Sequence, residues 1–202
     1  MTPDEITGFI RSRRSVRRFK PEAVPLAVLD SILETAVWAP SAHNRQPWRF
    51  AVLQEKDRKE RLAESMGKEF RRDLRRDGLP AEDIEKQVDR SRRRILEAPL
   101  VILLCLDPSE LDMYPDPTRC QAEHTMAVQS VAMAGGALML AAHAYGLGSV
   151  WICAPLFAPF AVIQALDLPP TWEPQGMILM GYPARIPEPR PRRSLADVTR
   201  FL

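Results

Sequence analysis

The stretch from Gln121 to Tyr145 is apolar on nearly every face of a helix, and it constrains the chain more than any other segment. A helix with no polar side to give to water has to be covered all round. It therefore belongs at the centre of a core, against a second copy of the chain, or both. Gly146 follows as its C-terminal stop, and Gly135 and Gly136 within it would let a partner helix approach closely. Its most apolar part, Val131 to Ala142, is shorter than the ~20 residues of a membrane span. A chain of 202 residues can bury about 70% of its unfolded surface. A core of that size needs neither disulfide nor metal.

Around this helix the sequence lays out further helices and strands in alternation. Pro3 and two acids open a first helix over 3–14. A second is predicted from Leu26 to Trp38, with Leu26, Leu29, Ile32, Leu33 and Ala36 on one face. Trp48 to Leu53 alternates as a strand does. The run LVILLCL from Leu100 to Leu106 reads as a strand buried on both faces. Ser149 to Cys153 and Glu173 to Tyr182 add two more strands. From Glu55 to Glu97 the chain is dense in charge, and Gly78-Leu79-Pro80 divides it into two helices. Their apolar stripe of Ile84, Val88 and Ile95 is thin, so 55–97 is expected to be a weakly anchored charged lid or insertion. Residues 183–202, rich in proline and arginine, read as an extended arm. With 19 prolines and only 9 glycines, the chain suits helices joined by stiff connectors rather than a turn-rich all-β fold. The expectation is one α+β domain over 1–202, a sandwich with a central mixed sheet flanked by helices.

Several function classes fall away. The net charge is +2, although 23 of the 28 basic residues are arginine, which disfavours a nucleic-acid-binding module built on Arg13 to Arg18. Cys105, Cys120 and Cys153 form no CxxC pair, so reduced thiols are expected and no zinc site. His43, His124 and His143 share no metal-ligand spacing. The first residues carry acids and no apolar signal core, so the chain reads as soluble and cytoplasmic with no membrane partner. No GxGxxG, GxxxxGK[ST], HExxH or GxSxG occurs.

Three constellations remain. Arg13-Arg14-Ser15-Val16-Arg17-Arg18 gathers guanidiniums, a hydroxyl and backbone amides at the end of the first helix, a set that can hold a phosphate. Pro40-Ser41-Ala42-His43-Asn44-Arg45-Gln46-Pro47-Trp48 carries amides and a hydroxyl able to read the edge of a heterocycle. In Gly146-Leu147-Gly148-Ser149-Val150-Trp151 the glycines let backbone lie close to a flat ligand.

In this order, together with Arg190-Pro191-Arg192 near the end, the motifs resemble the nitroreductase family of flavoproteins over about Arg13 to Phe201. The resemblance implies a homodimer with two FMN sites at the subunit interface. It implies hydride transfer from NAD(P)H through flavin N5 to an acceptor, with no side chain as acid–base catalyst. Carried over, Arg13, Arg14, Ser15 and Arg17 should hold the phosphate and ribityl oxygens, with Val16 offering backbone alone. Ser41, Asn44 and Gln46 should address the ring, with Cys153 contributing backbone beside it. Arg190 should close over the phosphate, followed by Arg192. DGLPAEDIE, MYPDPTRCQAEHTM, GLGSVWI and LDLPPTWEPQGMILMGY are further similar to the FMN-dependent C-terminal reductase domains of the FbiB type, from coenzyme F-420 biosynthesis. That likeness implies a dehydro deazaflavin precursor as acceptor, met around Asp73 with Arg72 and Arg75, and a separate glutamate-ligase enzyme as partner. A broad-specificity nitro, quinone or ene reductase is the alternative.

Overall fold

The computed structural model describes residues 1–202. At its centre is a four-stranded sheet in the order β1-β2-β4-β3, with β1 at Trp48–Leu53, β2 at Leu100–Leu106, β3 at Gly148–Ile152 and β4 at Glu173–Gly181. All three strand pairings are antiparallel, which corrects the expected mixed sheet. The reason lies in the connections. Between β1 and β2 runs a helical hairpin, α3 (Lys56–Arg76) and α4 (Ala81–Glu97), and two antiparallel helices return the chain pointing the opposite way. The single helix between β2 and β3 does leave those strands co-directional, but β4 inserts between them. The one parallel pairing is an isolated bridge of Ser15 with Ser149.

Strand β2 shows why the sheet is the middle layer of a sandwich. Its side chains alternate between two cores. Leu100, Ile102, Leu104 and Leu106 face one, and Val101, Leu103 and Cys105 face the other. The first core is closed by α2 (Leu26–Ala36) and α5 (Pro117–Ala144), the second by the first half of α3 and by α6 (Pro159–Leu166). All seven β2 residues are buried, as a continuous apolar run requires. Burial also pushes the Cys105 thiol up to about 12, so it stays protonated and inert.

Helix α5 begins earlier than its apolar run. Asp116 accepts from the Arg119 N–H, Pro117 occupies the first helical position, and the helix reaches 28 residues. By length and composition it could cross a membrane, but here it lies across the sheet as a core helix with Val131, Ala134, Leu138 and Ala142 fully buried. Gly135 is what lets it come so close. A Cβ there would stand 2.2 Å from the Trp151 ring, and one on Gly176 would stand 2.8 Å from it. The indole thus lies in a slot between α5 and β4, with its Nε1–H donating to Cys153 Sγ at 3.1 Å. Gly135 is therefore taken up inside the chain and gives nothing to a partner helix. Gly136, whose added Cβ would meet nothing within 4 Å, stays open.

The charged segment 55–97 divides in two. Leu62, Ala63 and Met66 of α3 and Ile95 of α4 enter the second core, and the buried Lys59 Nζ donates to Ala98 O at 2.8 Å at the end of α4. Only the far end stands apart, on its own small cluster of Leu74, Ile84 and Val88. Helix α6 leaves no periodic trace in the sequence, because its eight residues are too few to show one. The arm 183–202 is exposed and extended, apart from a short turn of helix at Leu195–Val198.

The indole slot is testable. Gly135→Ala and Gly176→Ala should each cost about 1–3 kcal/mol through overpacking. Thermal unfolding should show both variants melting several degrees below the parent, and unchanged melting would contradict the packing described.

Candidate active site

The arginine segment leaves α1 (Pro3–Ser12) at Arg13 and runs beside the free edge of β3. Val16 N–H donates to Ser149 O at 3.0 Å, and Val16 is buried in the space above Gly148, where any Cβ would stand 2.6 Å from it. Gly148 is thus needed so that this segment can lie on β3. The end of α1 is pinned from the other side. Ser12 Oγ and His143 Nε2 share a 2.7 Å hydrogen bond, and Phe9 stacks on the His143 ring at 4.8 Å between centroids.

The resulting position is strongly cationic. The Arg13 guanidinium is held below its ordinary pKa by partial burial first, then by the neighbouring charges of Arg192 and Arg14. The Arg14 and Arg17 side chains donate to backbone carbonyls of Arg11 and Ser15, at 2.7 and 3.3 Å. Arg13, Arg14, Arg17 and Arg192 form no ion pair with any carboxylate. Like charges converge here without compensation, which is the arrangement a phosphate dianion completes. Of the arm, Arg192 is the residue whose charge acts on Arg13, while both it and Arg190 are exposed and make no polar contact.

The second predicted group is held elsewhere. Residues 41–47 form a loop with a 3-10 turn at Ala42–Asn44, in which His43, Asn44 and Gln46 all take left-handed backbone at φ 52°, 53° and 50°. Such backbone costs a residue with a side chain about 1–2 kcal/mol. Ser41 Oγ accepts from Gln46 N–H at 3.1 Å, and Ala42 N–H reaches Ser130 Oγ on α5 at 3.4 Å. The arginine segment docks on α5 at His143 and the loop at Ser130. Those residues are 13 positions apart on one helix, a rise of about 20 Å. Within one chain, Arg13, Arg14, Ser15, Val16, Arg17 and Arg192 come together, while Ser41, Asn44 and Gln46 form a separate group.

Cys153 is exposed at the far end of β3, where a cleft of about 540 Å³ opens between α3, α4 and the turn after β3. Met66, Phe70, Ile152 and Phe157 line its apolar part, and the carboxylates of Glu69, Asp73 and Asp77 are on its wall. Arg72 turns the other way, toward Phe160, and pairs with Glu69 and more loosely with Asp73 at 3.8 Å. Arg75 does not reach the cleft. The cations that do are Arg90 and Arg94, which with Gln87 and Ser91 form one face of α4 and have no carboxylate partner. Their spacing of i, i+3, i+4 and i+7 is visible in the sequence, where it is masked by the density of charge around it.

The fold is thus an antiparallel sheet between helical layers, with an arginine cluster free of ion pairs beside the start of the edge strand β3 and a half-apolar cleft at that strand's far end. The comparison with known proteins gives this fold its family. The family model described as the nitroreductase family matches residues 10–182, and the chain belongs to that family. A Methanothermobacter thermautotrophicus protein, provisionally described as an NADH dehydrogenase/NAD(P)H nitroreductase, is 30% identical over 188 residues, covering 92% of this chain and 81% of its own. An iodotyrosine deiodinase of Haliscomenobacter hydrossis is 30% identical over 186 residues, covering 89% and 80%. The crystal structure of a Desulfovibrio desulfuricans protein in complex with FMN, provisionally described as a nitroreductase, shares 29% identity and a TM-score of 0.75. It covers 98% of this chain and 96% of that one.

The clamp at His143 gives a pH prediction. Burial first, then the charge of Arg13, holds its pKa below the ordinary 6.5. The unfolded chain therefore takes up this proton first as pH falls, so the clamp's full stability is present above pH 6.5 and is lost progressively below it. Melting temperatures of the parent and His143→Gln, compared from pH 8 to pH 5, should converge or cross in acid. Parallel curves would refute the assignment.

Proposed function

We propose that this FMN-dependent oxidoreductase assembles each flavin site from two copies of the chain. The carrying observation is the separation of the two groups along α5. Midway between Ser130 and His143 lie Gly136 and Ala137, on the face of α5 that its own chain leaves uncovered, with Met133 43% exposed beside them. Two such faces crossing antiparallel at Gly136 about a two-fold axis would bring the loop of one chain level with the cradle of the other. Such a dimer would also cover the apolar helix face that would otherwise meet water.

In this reading Arg13, Arg14, Ser15 and Arg17 hold the FMN phosphate and ribityl oxygens, and Arg192, rather than Arg190, closes over the phosphate. Val16 serves as the buried anchor that seats the segment on β3. Ser41, Asn44 and Gln46 of the partner face the ring, and the backbone at Cys153 borders it. The chemistry FMN supplies when bound is hydride relay through N5 from NAD(P)H to an acceptor. The protein's part is to bind, orient and exclude water, and no side chain is assigned proton transfer.

The site predicts its own complementation. A chain carrying Arg13→Ala and Arg192→Ala has no cradle, and one carrying Asn44→Ala and Gln46→Ala has no ring contacts. Each alone should lose FMN affinity by about ten- to hundredfold. Heterodimers of the two should recover one intact site and bind one FMN. Recovery of none would mean that each chain builds its site alone.

For the acceptor, the cleft beside Cys153 favours a flat apolar body against Phe70 and Phe157 with an acidic group on Arg90 and Arg94. The dehydro deazaflavin precursor of F-420 fits that description, since it carries phosphate and carboxylate groups, and its supply would involve a separate glutamate ligase. A small nitroaromatic or quinone would use only the apolar part, which is the broad-specificity reading. The three free cysteines accord with a reducing, cytoplasmic setting. Replacing Arg90 and Arg94 by glutamine should raise KM for the anionic deazaflavin about ten- to hundredfold and leave turnover of a small quinone nearly unchanged. An equal response to both substrates would remove the support for the anionic acceptor.

A further inference from the structure

We infer that Arg45 is a positioning residue that holds the ring-facing loop in its binding conformation through charges on the β2–α5 connection and on α5. The inference rests on the reading that Asn44 and Gln46 face the flavin. Arg45 lies between these two residues, and neither motif nor composition assigns it a role.

Apart from the 3.4 Å bond of Ala42 N–H to Ser130 Oγ, the loop has little else to keep it in place. It belongs to no strand or α-helix, and three of its residues with side chains sit in left-handed backbone, which the chain would leave if free to do so. Its internal bonds are short-range, from Asn44 N–H to Ser41 O, from Arg45 N–H to Ala42 O and from Gln46 N–H to Ser41 Oγ. Arg45 adds the long-range ties. Its Nη1 donates to Glu110 O at 2.7 Å, its Nη2 pairs with Asp112 Oδ1 at 2.6 Å, and its Nε faces Glu123 Oε1 at 3.8 Å. Glu123 is 2% exposed and in turn accepts from Asp112 N–H at 3.3 Å. Arg49, just past the loop, repeats the pattern, donating to Gln46 O at 3.2 Å and pairing with Asp107 at 2.9 Å.

Two atoms show that Arg45 is present for its charge. Arg45 Nε and Glu123 Oε2 are both buried with no hydrogen-bond partner. A buried carboxylate with one oxygen unsatisfied is retained only where a nearby cation compensates it, and Arg45 is that cation. Long-range attraction from Glu123 and a direct pair with Asp112 thus pull the loop onto the start of α5. Asn44 and Gln46, on either side of Arg45, are thereby held on the outer side of the loop.

The test separates holding the loop from merely neutralising Glu123. In Arg45→Gln with Glu123→Gln both charges leave together, so no buried charge is stranded and the melting temperature should stay close to the parent's. The dissociation constant for FMN should nonetheless rise about tenfold or more, and the visible circular dichroism of the bound flavin and its midpoint potential should change. Arg45→Lys, which keeps the charge and loses the fork, should fall between parent and double variant. Should the double variant not fold, Asp112→Asn breaks the shortest pair at a carboxylate 44% exposed and should shift affinity and dichroism in the same direction by less. Parent affinity and dichroism in either variant, while Asn44→Ala with Gln46→Ala loses FMN, would overturn the role of Arg45 and leave the loop's role standing. If the Asn44 and Gln46 substitutions also leave FMN binding intact, the loop does not face the flavin and both readings fall.

Discussion

The close packing of α5 across the sheet sets the positions of the arginine segment and of the 41–47 loop. It depends on a steric condition, the absence of a Cβ at Gly135 and Gly176, which opens a slot for the Trp151 indole between helix and strand. With that slot filled, the helix becomes a rigid reference. Glu123 near its start and Ser130 at its middle receive the 41–47 loop, and His143 at its end receives α1 and the arginine segment. Their separation of about 20 Å follows from helix geometry alone. It is what argues for two copies of the chain at each flavin.

Charge in this chain is abundant, and its pairing differs from place to place. On α3 most cations have a carboxylate partner, and on α4 Lys86 alone does. Arg71 grips Glu85 through two nitrogens, Arg72 takes Glu69, and Arg58 and Arg61 share Asp167. Such exposed pairs contribute little to stability and nothing to ligand recognition. The cradle of Arg13, Arg14, Arg17 and Arg192 and the Arg90–Arg94 face of the cleft form no ion pair, and what sets them apart from the equally unpaired, exposed Arg75, Arg76, Arg92 and Arg93 is position, the one beside the edge of β3 and the other on the cleft wall. Arg45 is a third kind, a partly exposed cation that pairs with Asp112 and faces the buried Glu123 at 3.8 Å without a hydrogen bond. Removing it alone is costly because it would strand a buried carboxylate.

Most of the scaffold was legible from local pattern. The continuous run 100–106 and the alternation in 48–53 coincide with β2 and β1, and Gly78-Leu79-Pro80 marks the α3–α4 turn. These signals survive because burial of a whole strand, or of one helix face, leaves a periodic trace in sequence. Strand direction left no such trace, since it depends on how many helices lie between strands. Helix α6 is too short for periodicity, and the start of α5 is hidden under Pro117-Thr118-Arg119-Cys120. In the site, guanidinium clusters and the loop amides are visible as residue types, but their neighbours are not. His143 with Ser12, Arg45 with Glu123 and Arg192 with Arg13 are all partners far apart in the chain.

By itself, then, the amino-acid sequence determined the element types, the two-sided burial of one strand, a central apolar helix and the residue types that answer a phosphate and a heterocycle. These follow from hydrophobic periodicity and from side-chain chemistry, both of which act within a few residues. Only the tertiary structure decided which cations stay unpaired. It alone brought the charge of Arg192 to bear on Arg13, put Arg90 and Arg94 rather than Arg72 and Arg75 on the wall of the cleft, and set the docking points of the 41–47 loop and the arginine segment about 20 Å apart along α5. Each of these depends on distances between segments that meet only after the sheet and α5 have packed, and no local pattern encodes such distances.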